Sequence, residues 1–154
     1  MVLTPVALCT ADLILTGKIR LDQTRLIDIL NASMDSWVTL QEPAVRPLRG
    51  AQPKISGAQT AIATKRDIIL AIPMESQENL QRRTEQRIFS YQAKTACQVF
   101  LSVPPYRLAG SMNLSPGIAV HDALAGVSDD FFAVTQIEAI SFPDATLSIP
   151  PVVI

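Results

Sequence analysis

The chain has 154 residues, of which 48% are hydrophobic, 18% charged and 5% aromatic. This apolar content favours a packed core over a disordered chain, and the scarcity of aromatics weakens any function built on stacking bases. A net charge of −1 speaks against whole-chain attraction to nucleic acid or to an anionic membrane.

Residues 1–16 are partly apolar but lack a basic leader and are interrupted by Asp12. A signal peptide is therefore not expected, no run approaches the roughly 18 apolar residues of a membrane span, and a cytoplasmic protein is the default. Residues 6–10 read as a strand. From Leu13 the alternation is clear: Leu13, Leu15, Gly17, Ile19 and Leu21 share one face, with Lys18 and Arg20 on the other. A glycine on the inner face marks a sharp bend or a close backbone approach. Residues 25–30 put Leu26, Ile29 and Leu30 on one side at helical spacing, with Asp22 placed to cap. Strands are expected at 37–40, 44–48, 60–64 and 68–72, with a loop at 46–57 rich in Pro, Gly and basic residues. Residues 75–95 contain no Gly or Pro and are rich in Gln, Glu and Arg, which predicts a linker helix.

The remainder repeats the beginning. With a shift of 93 residues, 6–10 fall on 99–103, Leu15 on Leu108 and Gly17 on Gly110. One inserted residue later, Asp28 falls on Asp122, Leu30 on Leu124, Trp37-Val38 on Phe131-Phe132 and Leu40 on Val134. Residues 61–70 parallel 146–154 more loosely. Ser115-Pro116 is placed as N-cap and first residue of the second helix. Strands follow at 131–135 and 138–142, and a Pro143-Asp144 turn stands in place of the first copy's long loop.

The pattern Val6-x-Leu8-x-Thr10-x-x-Leu13-x-Leu15-x-Gly17-x-Ile19-x-Leu21-Asp22 resembles the first half of an Sm motif, and Ile62-x-Thr64-Lys65-Arg66-Asp67-x-Ile69 resembles a degenerate second one. Together with Arg25-Leu26-x-Asp28-x-Leu30-Asn31 and Trp37-Val38-x-Leu40, they are similar to an uncharacterised bacterial domain family of Sm-like barrels with a helical insertion. The resemblance spans residues 5–73 and 98–154. It implies a mainly β fold of two tandem small antiparallel β-barrel (Sm/SH3-like) domains, each with a short inserted helix, joined by a linker helix. The expected boundaries are 1–73, 74–97 for the linker, and 98–154. Sm proteins read RNA through an aspartate-to-asparagine pair and an Arg-Gly knuckle. Here Asp22 aligns with Ser115, and the knuckle is Lys65-Arg66-Asp67 in one copy and Pro150-Pro151 in the other, so RNA binding does not carry over to the second copy.

Candidate chemistry is sparse. His121 is the single histidine and has no partner at catalytic spacing. Asp28 and Asp122 recur in both copies, as Gly17 and Gly110 do, which points to a role in the fold such as bonding local backbone. Asp129-Asp130 fit a turn cap. Lys18, Arg20, Lys65 and Arg66 form a candidate anion- or RNA-binding patch, weighed against an ordinary solvated strand face. Cys9 and Cys97 fit neither a disulfide framework nor a metal motif. No cofactor, metal site or catalytic set is expected, and the chain is read as a non-enzyme.

Charge divides unevenly: the first copy is net +2, the linker +1 and the second copy −4. Complementary copies favour a binding or assembly module with intramolecular pairing of the repeats, a homo-oligomer being a further option. The alternatives are an Sm-like RNA-binding protein using the first copy, and a small-ligand site or enzyme between the two barrels. The uncharged tail 146–154 should be covered, because a free edge strand is normally protected by charge.

Overall fold

Apolar alternation along residues 3–20 builds a hairpin. In the computed structural model, which describes residues 2–22, 24–48, 57–74, 95–125, 130–141 and 152–153, strand β1 (Leu3–Cys9) pairs antiparallel with β2 (Leu13–Arg20), from Leu3↔Arg20 to Cys9↔Ile14. Thr10 closes the turn: its hydroxyl accepts from the Leu13 N–H at 3.1 Å, and its own N–H donates to the Leu13 carbonyl at 2.8 Å. Helix α1 (Leu26–Asn31) follows, then β3 (Trp37–Pro47), β4 (Thr60–Thr64), a 3-10 turn (Lys65–Asp67) and β5 (Leu70–Pro73). The sheet order is β4-β3-β2-β1-β5.

Three expectations change here. The barrel does not close: among the described residues β4 pairs only with β3, and β5 returns to β1. The reason is the three-residue turn. The Lys65 N–H donates to the Ser36 carbonyl beside β3, and the Ile69 N–H donates to the Cys9 carbonyl on β1. The chain is thereby passed across the sheet instead of back along β4. The strands expected at 37–40 and 44–48 are one strand, because a register shift between Thr16 and Lys18, opposite Glu42 at φ 50°, absorbs the irregularity. Asp22 does not cap α1: its carboxylate pairs with Arg20, while Asp28 accepts from the Arg25 backbone N–H at 3.3 Å and from its guanidinium at 2.8 and 2.9 Å.

The second sheet has the order β6-β7-β8-β9. Strand β6 (Thr95–Val103) begins inside the stretch assigned to the linker, whose residues 75–94 lie outside the described residues. It pairs with β7 (Tyr106–Leu114) around Pro104-Pro105, which are joined by a cis peptide bond. Helix α2 (Val120–Ala125) follows, then β8 (Val134–Ser141) and β9 (Val152–Val153). Ser115-Pro116 do not start the helix; they form a turn closed by the Ile118 N–H on the Ser115 carbonyl, with Gly117 at φ 81°. Residues 49–56 of the basic loop and residues 142–151, with the Pro143-Asp144 turn and Pro150-Pro151, also lie outside the described residues.

The same geometry occurs in both sheets. Gly17 lies opposite Val6, and Gly110 opposite Val99. Each glycine sits where the ladder to the next strand slips, between Thr16 and Lys18 and between Ala109 and Ser111. A Cβ on Gly17 would meet the Gln41 carbonyl at 2.9 Å and the Leu40 Cβ at 3.0 Å. One on Gly110 would meet Val134 at 2.8 Å and the Thr135 carbonyl at 3.0 Å. Leu40-Gln41 and Val134-Thr135 are matched by the sequence shift. The tail is matched differently: Val134 faces Val153 as Leu40 faces Ala61, so β9 stands in the place of β4's start, seven residues away from the looser sequence match.

Two cores result. One lies inside the first sheet and joins Val6, Leu8, Ile19, Leu26, Leu30, Val38, Leu40 and Ala71. The other lies between the sheets. Ala7, Cys9, Ile14, Leu70 and Ile72 from the reverse face of the first sheet pack with Tyr106, Leu108, Met112, Leu114 and Val134 from the second. Strand β1 is therefore buried on both faces from Val6 to Cys9. Strand β9 lies beside β5.

Candidate functional site

The 3-10 turn is tied to its surroundings at several points. Beyond its backbone ties, Thr64 donates its hydroxyl to the Asp67 carboxylate, and the Lys65 ammonium donates to the Ala32 carbonyl just past α1 at 2.9 Å. Held in this way, Lys65 and Arg66 stand at one rim of a cleft of about 430 Å³ between the sheets. Ile68, Ile69 and Leu70 continue the wall on their side. Leu101, Val103, Leu108, Phe131, Phe132 and Val134 form the other, with Asp130 at its edge. The cleft is an apolar slot with two cations and one carboxylate at its mouth. Among the described residues Arg66 makes no ion pair, and it also borders a shallower groove with Asp12 and Ile62.

The four basic residues of the sequence patch do not converge. Lys18 pairs with Glu42, and Arg20 pairs with Asp22; neither lines the cleft. The guanidinium of Arg20 holds the Asp22 carboxyl below its usual range, and the Asp28 carboxylate raises Arg25. All of these pairs are solvent-exposed, where such contacts contribute little. Asp28 acts on local backbone and on Arg25, whereas Asp122 and His121 are exposed on α2. Asp129 lies outside the described residues. Among the described residues there is no group of three or more His, Cys, Asp or Glu side chains able to hold a metal ion, and no helix is long and apolar enough to cross a membrane. Both cysteines are free thiols. Burial pushes the Cys9 thiol up to about 12, which suppresses the thiolate that nucleophilic chemistry requires.

Two contacts between the halves were not legible in the sequence. Asn31, the last residue of α1, donates its amide to the Phe131 carbonyl at 3.0 Å and accepts from the Phe131 N–H at 2.9 Å. The Phe131 ring packs against the first core. Tyr106 is fully buried, and its hydroxyl donates to the Thr10 carbonyl at 2.5 Å. Burial, with Cys9 and Asp12 nearby, raises the Tyr106 phenol. The one available sequence signal for Asn31 was a polar residue closing an otherwise apolar helix, which reads equally well as a solvated end.

No family model matches the chain, and no curated protein or solved structure is significantly similar to it.

Proposed function

We propose that this protein is a non-enzymatic binding and assembly module, in which two Sm/SH3-like units of one chain pair with each other. The order β4-β3-β2-β1-β5 with a 3-10 turn before the last strand supports the Sm-like reading of the first unit. The matching glycine cradles support the duplication and the domain division drawn from it. The observation that carries the functional reading is the double hydrogen bond between Asn31 and Phe131. Asn31, which closes the segment Arg25-Leu26-x-Asp28-x-Leu30-Asn31, is engaged by the backbone of Phe131, so the loop face of the first unit turns toward the second, while Lys65 of the degenerate second Sm motif is held by the Ala32 carbonyl of its own unit.

The test uses the full chain with a protease site placed within residues 75–94. After cleavage the two pieces should stay together through gel filtration, and Asn31→Ala should weaken that association. Nucleic acid is measured alongside, by the ultraviolet absorbance ratio of the purified protein and by retention of a labelled single-stranded RNA. The module reading expects neither carry-over nor retention at physiological salt. Separation of the cleaved pieces, or salt-sensitive RNA retention lost in Lys65→Ala and Arg66→Ala, would overturn it.

A second reading has one specific observation in its favour: the cleft joins apolar walls to the Arg66 cation, which makes no ion pair among the described residues. That combination suits a small ligand with an apolar body and an anionic group. Its test is a thermal-shift screen of such compounds, in which Arg66→Ala abolishes any stabilisation.

A further inference from the structure

Strand β4 forms one edge of the five-stranded sheet, and among the described residues no strand pairs with its outer side. We propose that this edge is where a second copy of the chain docks, β4 against β4 across a two-fold axis through Ile62. The proposal extends the assembly reading beyond the pairing of the halves.

The backbone is oriented for it. The Glu42 N–H donates to the Gln59 carbonyl, and the Lys65 N–H donates to the Ser36 carbonyl. Both are directly opposed residues in the β3–β4 register, which runs Trp37↔Thr64 to Gln41↔Thr60. Odd-numbered residues of β4 therefore direct their peptide groups at β3. By the alternation of an antiparallel ladder, Thr60, Ile62 and Thr64 direct theirs outward.

The sequence is self-complementary. Thr60-Ala61-Ile62-Ala63-Thr64 is a palindrome. Antiparallel pairing about Ile62 sets Thr60 against the partner's Thr64 and Ile62 against the partner's Ile62. The next charged residues, Lys65 to Asp67, then fall opposite Gln59, Ala58 and Gly57, so no like charges meet. An isologous contact needs this self-complementarity, and it closes as a dimer without propagating.

The exposed surface fits as well. Ile62 is 67% exposed and Trp37, diagonal to it across the ladder, is 52% exposed. Strand β4 carries no charge and no proline, the devices that normally protect a free edge. Pairing would place Ile62 beside its copy, with the two Trp37 rings flanking the same face.

The experiment is sedimentation of the full chain over a wide concentration range, with Trp37, the single tryptophan, as a fluorescence probe. The expected result is a concentration-dependent dimer of twice 16.7 kDa and a blue shift of Trp37 as it forms. Ile62→Lys, which sets two ammonium groups face to face at a surface position, should remain monomeric. A measurement on the wild type needs no variant: amide exchange by NMR should show protection at Thr60, Ile62 and Thr64 that rises with concentration, while Ala61 and Ala63 are protected throughout by β3. A monomer at every concentration, a dimer that survives Ile62→Lys, or protection without that alternation would overturn the proposal. None of these results touches the pairing of the two halves within one chain.

Discussion

The side-chain amide of Asn31 meets the backbone of Phe131 as a neighbouring strand would, one bond accepted and one donated, across a separation of 100 residues. It joins the end of α1 to the segment leading into β8, and so links the loop face of the first sheet to the second half. Asn31→Ala leaves a partly buried N–H and carbonyl of Phe131 without these partners, at a cost of about 1–3 kcal/mol. Asn31→Asp keeps the acceptor but sets a carboxylate against the Phe131 carbonyl, and should cost at least as much at neutral pH. Urea unfolding measures both. Wild-type stability in Asn31→Ala would remove this contact from the account.

The two glycines should be intolerant of a methyl group, to different degrees. At Gly17 the new Cβ meets a carbonyl and a Cβ, neither of which moves without the backbone. At Gly110 its closest contacts, at 2.7 and 2.8 Å, are the side-chain ends of Ile137 and Val134, which can rotate. Both substitutions should destabilise by about 1–3 kcal/mol, the range for overpacking, with Gly17→Ala the worse. Chemical denaturation of the two variants gives the order directly, and the reverse order would show that the Gly110 side is the more rigid.

Because Tyr106 and Leu108 pack on Ala7, Cys9, Ile14 and Ile72, the second sheet has, among the described residues, no core separate from the first sheet. The full chain should melt in a single calorimetric transition, and a fragment of residues 95–154 should show no cooperative melting alone. Ile72→Ala, made in the first half, should lower the one transition by about 2–5 kcal/mol of stability. Two resolved transitions, only one of them sensitive to Ile72→Ala, would contradict the shared core.

Alkaline pH should weaken the fold. The folded Cys9 thiol is raised from 9.0 to about 12, so between those values the unfolded chain loses a proton that the folded chain keeps. Stability from this group is complete below about pH 9 and declines as pH rises toward 12, by about 1.4 kcal/mol per pH unit while one proton is involved. The raised Tyr106 phenol acts in the same direction. Equilibrium unfolding at a series of pH values should show this decline, shallower in Cys9→Ala. At pH 8 a maleimide should label the half-buried Cys97 well before Cys9, and equal labelling would contradict the burial of Cys9.

Local chemistry placed most of the elements. Alternation fixed β2, the shift of 93 residues carried it onto β7, the palindromic β4 is bounded as its pattern reads, and Leu26, Ile29 and Leu30 at helical spacing set α1. The match of Gly17 with Gly110 was legible because a close backbone approach tolerates no side chain, a constraint carried by residue type. What the tertiary structure alone decided is the second face of the first sheet. Ala7, Cys9 and Ile14 sit where alternation assigns the outer side, and a few apolar residues there are compatible with either solvent or a neighbour. Whether barrel strands close, whether Lys18 and Arg20 join Lys65 and Arg66, and whether Asn31 ends a helix in water or on Phe131 all depend on which distant segments meet. Periodicity reports only the apolar side of one element. The partner is chosen by the packing of whole sheets, which brought the carbonyl of Thr10 to Tyr106 and left Lys18 and Arg20 with their own neighbours, Glu42 and Asp22.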